Sequence, residues 1–401
     1  MLTIDKIYDA KNVLKKIVHK TNIIPADNLG SENHIYLKPE NLQLTGSFKI
    51  RGSFYKISKL TEEEKQHGII ASSAGNHAQG VALSAQKAQI PCTICMPDSS
   101  PLSKVEATKS YGANVCLVEG VYDDSYEEAI RQCKEKNLTF IHPYDDEDVI
   151  AGQGTIGLEI LDQMDSVDAI VVPIGGGGLI SGVAFAAKNL KPSIKIYGVQ
   201  AANAASMYES FKQGKNIALD HVNTFADGIA VKHPGNNTFE IVKQYVDDIV
   251  TVSEDEIAAA ILSLMEKQRI VAEGAGAVSV AAAMFNKLPI KGKNVVCIVS
   301  GGNIDINIID RVMTHGLLLS GRKTSFTIAL TDKPGQLLGV SKIISDNGGN
   351  VVAIDYDNGD PEMAITSCFL KVTVETRNHD HIEKIKDDLI HHGFIIVHER
   401  V

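Results

Sequence analysis

Apolar positions along this chain fall into two recurring patterns. Short continuous runs, such as Ala169-Ile170-Val171-Val172-Pro173-Ile174, have no polar face and read as buried strands. Longer stretches such as Leu179-Ile180-Ser181-Gly182-Val183-Ala184-Phe185-Ala186-Ala187 read as helices. Along the chain this predicts strands near 34–38, 68–72, 92–96, 114–118, 168–173, 194–199, 248–252 and 294–300. Helices are predicted near 76–88, 101–110, 123–136, 178–190, 253–267 and 273–286. Alternating strands and helices imply an α/β fold with parallel sheets covered on both faces by helices.

The pattern changes after Arg311. The segment from His315 to Lys323 reads as a connector, and Thr324 to Leu330 alternates as a strand. Asp332-Lys333-Pro334-Gly335-Gln336-Leu337-Leu338 reads as the opening of a helix with proline in its first turn. Strands near 349–357 and 363–374, a helix near 378–392 and a strand near 394–399 complete the ferredoxin-like order β-α-β-β-α-β. The expected division is a first domain over 1–320 and a second over 325–401.

Composition narrows the function. With 401 residues, 44% hydrophobic and 22% charged, the chain has enough length for two or three domains with buried cores. Thirty-nine basic against 49 acidic residues give a net charge of −10, which argues against a nucleic-acid surface. No apolar run approaches the ~18 residues of a membrane span, and the start, Met1-Leu2-Thr3-Ile4-Asp5-Lys6, does not read as a signal peptide. Six cysteines in so long a chain do not make a disulfide framework, so a cytoplasmic location is expected.

Two features carry chemistry. The four glycines Gly175 to Gly178 sit between a predicted strand and helix, where a backbone without Cβ atoms can curl around an anion at a helix N-terminus. Read alone, they also suit a flexible turn. Lys49, in Thr45-Gly46-Ser47-Phe48-Lys49-Ile50-Arg51-Gly52, can form a Schiff base, although a lysine near a helix start is ordinarily a solvated charge. A phosphate cradle with a Schiff-base lysine suggests pyridoxal 5'-phosphate. Two other motifs lead elsewhere. Cys92 and Cys95 have metal-pair spacing but lie on a predicted strand, where residues three apart face opposite sides. Gly152, Gly154 and Gly157 satisfy a dinucleotide spacing without the preceding strand, so tight packing at a helix start explains them better.

The strings Ser47 to Gly52, Ser73 to Gly80, Gly175 to Leu179 and Val299 to Asn303 together resemble the four cofactor motifs of the serine/threonine dehydratases, in the tryptophan-synthase-β-like group of pyridoxal-phosphate enzymes. The resemblance covers roughly residues 1 to 320. It implies two parallel sheets enclosing the cofactor, with a small subdomain roughly within 50–145. It implies that Lys49 holds the cofactor, that Phe48 lies near its ring and that Asn76 bonds its phenolic oxygen. Gly175, Gly176, Gly177, Gly178 and Leu179 would hold its phosphate, and Ser300 would face its pyridine nitrogen. Ser73, Gly75, Asn76 and His77 would receive the substrate carboxylate, although Ser73 and Asn76 also suit helix capping.

The activity so implied is β-elimination from L-threonine or L-serine to a 2-keto acid and ammonia, with Lys49 as base. Serine racemases share the motifs, but relatives with that activity place serine where this chain has Ala74. Cation-binding relatives carry carboxylates where this chain has Gln200 and Ser206, so no metal is expected. Cysteine-synthase-like replacement and a silent amino-acid sensor are the remaining alternatives. The C-terminal segment resembles an ACT domain, which implies an effector such as isoleucine or valine at Asp332, Pro334 and Gly335, in a homodimer or homotetramer. An inert assembly module is the alternative there.

Overall fold

The computed structural model describes residues 2–357 and 366–400, and these divide into two compact units, Met1–Asp305 and Ile306–Val401. In the first unit the apolar runs form two sheets. The larger has six strands in the order Ile24–Pro25, His34–Pro39, Asn294–Val299, Ala169–Pro173, Lys195–Ala201 and Asp248–Val252. All its neighbours are parallel except the first pair. The smaller has four parallel strands in the order Asn114–Val118, Cys92–Pro97, Ile69–Ser72 and Thr139–Phe140. Helices cover both sheets, and each has its own apolar core, around Ile170, Val172, Ile180 and Val296 in the larger and around Ala71, Val81, Ile94 and Met96 in the smaller.

Ile24–Pro25 and Thr139–Phe140 escape the pattern reading because two residues show no period. The helices Ile4–Leu14 and Glu147–Gln163 also lie outside it. The second of these corrects the reading of Gly152, Gly154 and Gly157, which fall in the middle of that helix and not at its start. Their role is packing. A Cβ on Gly152 would lie 2.5 Å from the Arg51 carbonyl oxygen, and one on Gly154 would lie 2.9 Å from that of Gly182. The helix therefore touches the backbones of Lys49–Ser58 and Gly178–Leu190. Cys92 and Cys95 are free and buried, and burial pushes each thiol up to about 12, which leaves them unreactive.

The second unit holds the helix Ile306–Leu319, then Lys323–Thr331, Gln336–Asp346, Asn350–Asp357, Ser367–Glu375, His379–His391 and Ile395–Arg400, in the order β-α-β-β-α-β after the first helix. Its sheet is antiparallel, ordered Asn350–Asp357, Ser367–Glu375, Lys323–Thr331, Ile395–Arg400. Two expectations change, and part of a third lies outside the described residues. His315 to Leu319 is helical and not part of a connector, so the unit begins at Ile306. Gly335, at φ 94°, is the cap before Gln336, which puts Pro334 ahead of the helix and not in its first turn. Residues 363–365 of the expected strand 363–374 lie outside the described residues.

Candidate active site

Four loops leave the carboxyl ends of parallel strands at one place in the first unit. They follow Ile69–Ser72, Thr139–Phe140, Ala169–Pro173 and Asn294–Val299. Such strand ends are where open α/β sheets bind ligands, because backbone N–H groups and helix starts converge there. With the start of the helix Lys49–Ser58, these loops enclose a cavity of about 650 Å³. Phe48, Lys49, Ser73, Gly75, Asn76, His77, Gly175, Gly176, Gly177, Gly178, Leu179 and Ser300 all line it. Residues more than 250 positions apart in sequence thus share one wall.

The lysine is placed by its neighbours. Thr45 and Gly46 both have positive φ, 63° and 68°, which turns the chain sharply before the helix. Gly302 N–H donates to the Gly46 carbonyl at 2.9 Å, and Phe48 N–H donates to the Ser300 carbonyl at 3.1 Å. These bonds tie the helix start to the loop after Asn294–Val299. From this anchored point Lys49 Nζ reaches the cavity and donates to the Pro143 carbonyl at 2.9 Å. The Phe48 ring centroid lies 5.3 Å from it. Burial pulls the Lys49 amine down to about 8, against the attraction of the Glu273 carboxylate. A neutral, nucleophilic amine is therefore accessible near neutrality.

The glycine loop lies close against Tyr144 because its side chains are missing. A Cβ on Gly176 would lie 2.4 Å from the Tyr144 ring, and one on Gly178 would lie 2.9 Å from Tyr144 backbone atoms. Gly177 has φ 101° and caps the helix Gly178–Leu190 with no side-chain hydrogen bond, so that helix start presents its N–H groups to the cavity. Thr238 Oγ1 donates to the Gly176 carbonyl at 2.6 Å and holds the loop in place.

On the facing wall, Gly75 and not Ser73 or Asn76 caps the helix Asn76–Ala88, and no side chain completes the cap. Capping therefore does not account for either residue. Ser73 Oγ accepts from Gly75 N–H at 3.1 Å. Asn76 donates to Glu273 Oε1 at 2.6 Å and accepts from Asn303 Nδ2 at 2.7 Å. His77 is buried and its Nε2 lies 2.8 Å from the Ile141 carbonyl. Burial and the nearby Lys49 charge pull its imidazole down to about 3, so it is a neutral donor to that carbonyl. Ser300 Oγ donates to the Ala275 carbonyl at 3.2 Å. Gln200 accepts from Tyr208 N–H and Ser206 donates to the Val231 carbonyl, both at 2.8 Å.

Several site residues were not singled out from sequence. Pro143 accepts the lysine, Tyr144 backs the glycine loop, and Asp145 accepts from the N–H groups of Asn236, Asn237 and Thr238. Glu273 is buried in the cavity wall, where burial and then the Asp227 carboxylate push it up to about 7. A signal existed. Glu273 is the lone charge in Ile270-Val271-Ala272-Glu273-Gly274-Ala275-Gly276-Ala277, and a carboxylate inside an apolar run is anomalous unless it has work to do.

Comparison with known proteins bears on this cavity directly. The model of a family described as pyridoxal-phosphate dependent enzyme matches residues 14–301, the span that contains every cavity residue except Asn303. The chain belongs to the pyridoxal-phosphate-dependent enzymes. Within that family it is 48% identical to an L-threonine ammonia-lyase of Thermotoga maritima, over 98% of both chains. It is 41% identical to an L-threonine ammonia-lyase of Geobacter sulfurreducens, over 99% of both. Among solved structures, the processed form of threonine deaminase isoform 2 from Solanum lycopersicum matches with a TM-score of 0.75 and 38% identity, covering 78% of this chain and 88% of that one. Maize serine racemase matches with a TM-score of 0.74 and 35% identity, covering 79% and 98%.

The cavity fits the family's cofactor. Gly176 and Gly178 let the loop lie close against Tyr144 where Cβ atoms would collide, the helix that starts there lines the cavity, and Lys49 supplies an amine to the same cavity. No helix of the described residues is long and apolar enough to cross a membrane.

Proposed function

We propose that this protein is a threonine ammonia-lyase that converts L-threonine to 2-oxobutanoate and ammonia, with L-serine as a second substrate. The observation that carries this reading is the Lys49 amine, pulled down to about 8 and facing the same cavity as the glycine loop. When bound, pyridoxal phosphate supplies an electron sink for the Cα carbanion and, through its phosphate, a proton for the departing hydroxyl. Gly175, Gly176, Gly177, Gly178 and Leu179 would hold that phosphate, and Phe48 would pack beside the ring. Lys49 would hold the cofactor and, as a free amine, would take the Cα proton. Ser73, Gly75, Asn76 and His77 would hold the substrate carboxylate at the start of the helix Asn76–Ala88, the last three through backbone N–H groups. The His77 imidazole stays neutral and bound to the Ile141 carbonyl, so it adds no charge there. Ser300 would offer the ring nitrogen an uncharged hydroxyl, which would restrain charge delocalisation and favour elimination over transamination.

Serine racemisation is the nearest rival, because a racemase shares the fold. Racemisation needs a second proton carrier, and Ala74 in the cavity wall has none to give. Steady-state kinetics on both amino acids, with keto acid trapped as a carbonyl derivative and D-serine measured separately, test the proposal. A higher kcat/KM for L-threonine without D-serine supports it; D-serine without keto acid overturns it.

We further propose that the second unit is an ACT domain binding a branched-chain amino acid, isoleucine or valine, at Asp332, Pro334 and Gly335. The β-α-β-β-α-β order supports this, as does the open space around Gly335 at its φ of 94°. Asp332 is held there by the Tyr356 hydroxyl, which donates to it at 3.0 Å. The effector would shift threonine affinity about 5–150-fold in a homodimer or homotetramer. Titration calorimetry on the full chain should show binding that Asp332→Ala abolishes while basal turnover persists. Failure of both amino acids to bind would leave the unit as an assembly module.

A further inference from the structure

Asn76, Asn303 and Glu273 form a line of hydrogen bonds that runs from a backbone carbonyl to a buried carboxylate. At one end, Asn303 Nδ2 donates to the Thr45 carbonyl at 2.6 Å and to Asn76 Oδ1 at 2.7 Å. Both its amide hydrogens are thereby used, and its orientation follows from the Thr45 carbonyl, which can only accept. At the other end, Asn76 Nδ2 donates to Glu273 Oε1 at 2.6 Å. The Asn303 backbone N–H also donates to the Glu273 carboxylate. Flipping the Asn76 amide would set its oxygen against a carboxylate and its NH2 group against another NH2 group.

The backbone is built to allow this line. A Cβ on Gly301 would lie 2.3 Å from Glu273 Oε1 and 3.0 Å from Asn76 Nδ2. A Cβ on Gly46 would lie 2.4 Å from Asn303 Oδ1. Two glycines therefore clear the space for all three side chains. With one Nδ2 hydrogen given to Glu273 and its oxygen to Asn303, Asn76 keeps a single free hydrogen, and all three residues line the cavity.

We propose that Glu273 and Asn303 are positioning residues which lock the Asn76 amide so that its remaining Nδ2 hydrogen is reserved for the phenolic oxygen of the cofactor. This rests on the cofactor reading of the cavity given above. Glu273 and Asn303 act through Asn76 and need not touch the cofactor themselves. Losing either lets the Asn76 amide rotate and present its oxygen, which repels the phenolate.

The test is the visible absorption spectrum of the full-length, cofactor-loaded enzyme, combined with cofactor affinity. Glu273→Met and Asn303→Ala should each move the visible band toward the form protonated at the phenolic oxygen and weaken cofactor binding ~10-fold, the effect of one hydrogen bond to a charged group. Glu273→Gln should stay close to wild type, since its amide oxygen can still accept from Asn76 Nδ2. In an Asn76→Ala background, neither Glu273→Met nor Asn303→Ala should shift the band further. Equal shifts with and without Asn76 would overturn the proposal, as would a Glu273→Gln spectrum matching that of Glu273→Met. If Glu273→Met fails to fold, Asn303→Ala and Glu273→Gln decide the question. A wild-type protein that takes up no cofactor would instead refute the cofactor reading.

Discussion

Lys49 and Arg51 are cations two residues apart on one helix, yet their surroundings drive them in opposite directions. The Arg51 guanidinium is fully buried. It donates to Glu40 Oε2 and Oε1 at 2.8 Å each and to Glu159 Oε1 at 2.7 Å. Lys38 Nζ, also fully buried, donates to Glu159 Oε2 at 2.6 Å. Two cations and two carboxylates thus form a closed set. Burial works against the Arg51 charge, but the two carboxylates outweigh it and hold the guanidinium above its usual range. Lys49 has one carbonyl partner and only a longer-range attraction to Glu273, so burial wins and its pKa falls. Two carboxylates on one guanidinium keep Arg51 charged, whereas burial pulls the amines of both Lys38 and Lys49 down, Lys38 against its pairing with Glu159 and Lys49 with no carboxylate bonded to it.

The largest effect is expected where the unpaired cation is removed. Lys49→Ala should lower turnover by roughly 10⁴-fold or more, since it deletes both the anchor and the base. It should also abolish borohydride trapping of the cofactor on the protein. A trapped cofactor in that variant would show that another amine does the work. Stability should respond in the opposite way. Arg51→Met strands Glu40 and Glu159 without their shared partner and should cost about 3–5 kcal/mol, measured by urea unfolding of the cofactor-free protein. Lys49→Met should cost little or nothing there, because it removes a poorly paired charge. Equal losses for the two variants would erase the distinction between them.

This contrast explains what sequence could and could not give. Lys49, the glycines Gly175 to Gly178, Asn76 and Ser300 stand in strings whose chemistry is local, and all of them line one cavity. Long elements such as Lys195–Ala201, buried at every position but its first, and Asn76–Ala88, buried from His77 to Ala85, are continuous enough to read from the chain. Arg51 stands beside Lys49 in the same string, but its partners Glu40 and Glu159 are 11 and 108 positions away. Glu273 meets Asn76 across 197 positions, and Pro143 meets Lys49 across 94. No local pattern encodes such pairings. They arise only when strand order brings loops together.

The two cations should also differ in how stability depends on pH. The pKa of Lys49 is lowered from 10.5 to about 8, so between those values the unfolded chain binds more protons than the folded one. The contribution of this group is therefore fully present above pH 10.5 and is lost as pH falls through about 8. In cofactor-free protein the unfolding free energy should carry a rising term on the order of 1–3 kcal/mol across that window. Lys49→Met should flatten that rise. Arg51 keeps its proton throughout and should contribute no slope. A slope that survives Lys49→Met would assign the titration to another group.

The smallest effect reaches Lys49 indirectly. After burial itself, the Asp227 carboxylate is the next cause that raises Glu273, and Glu273 in turn raises the proton affinity of Lys49. Asp227→Asn should therefore let Glu273 ionise more readily and make Lys49 slightly more basic, leaving the closed set around Arg51 untouched. Asp227 is largely exposed and pairs with Lys104, so solvent and that ammonium screen its field. The change in Lys49 proton affinity should stay below about twofold and shrink as salt is raised past about 0.1 M, where the Debye length is ~10 Å. Competitive acetylation of Lys49 in the cofactor-free protein, followed against pH by peptide mass spectrometry, reads this directly. A tenfold change would mean that Asp227 governs the lysine more strongly than its exposure allows. No change at any ionic strength would mean that burial alone sets Glu273.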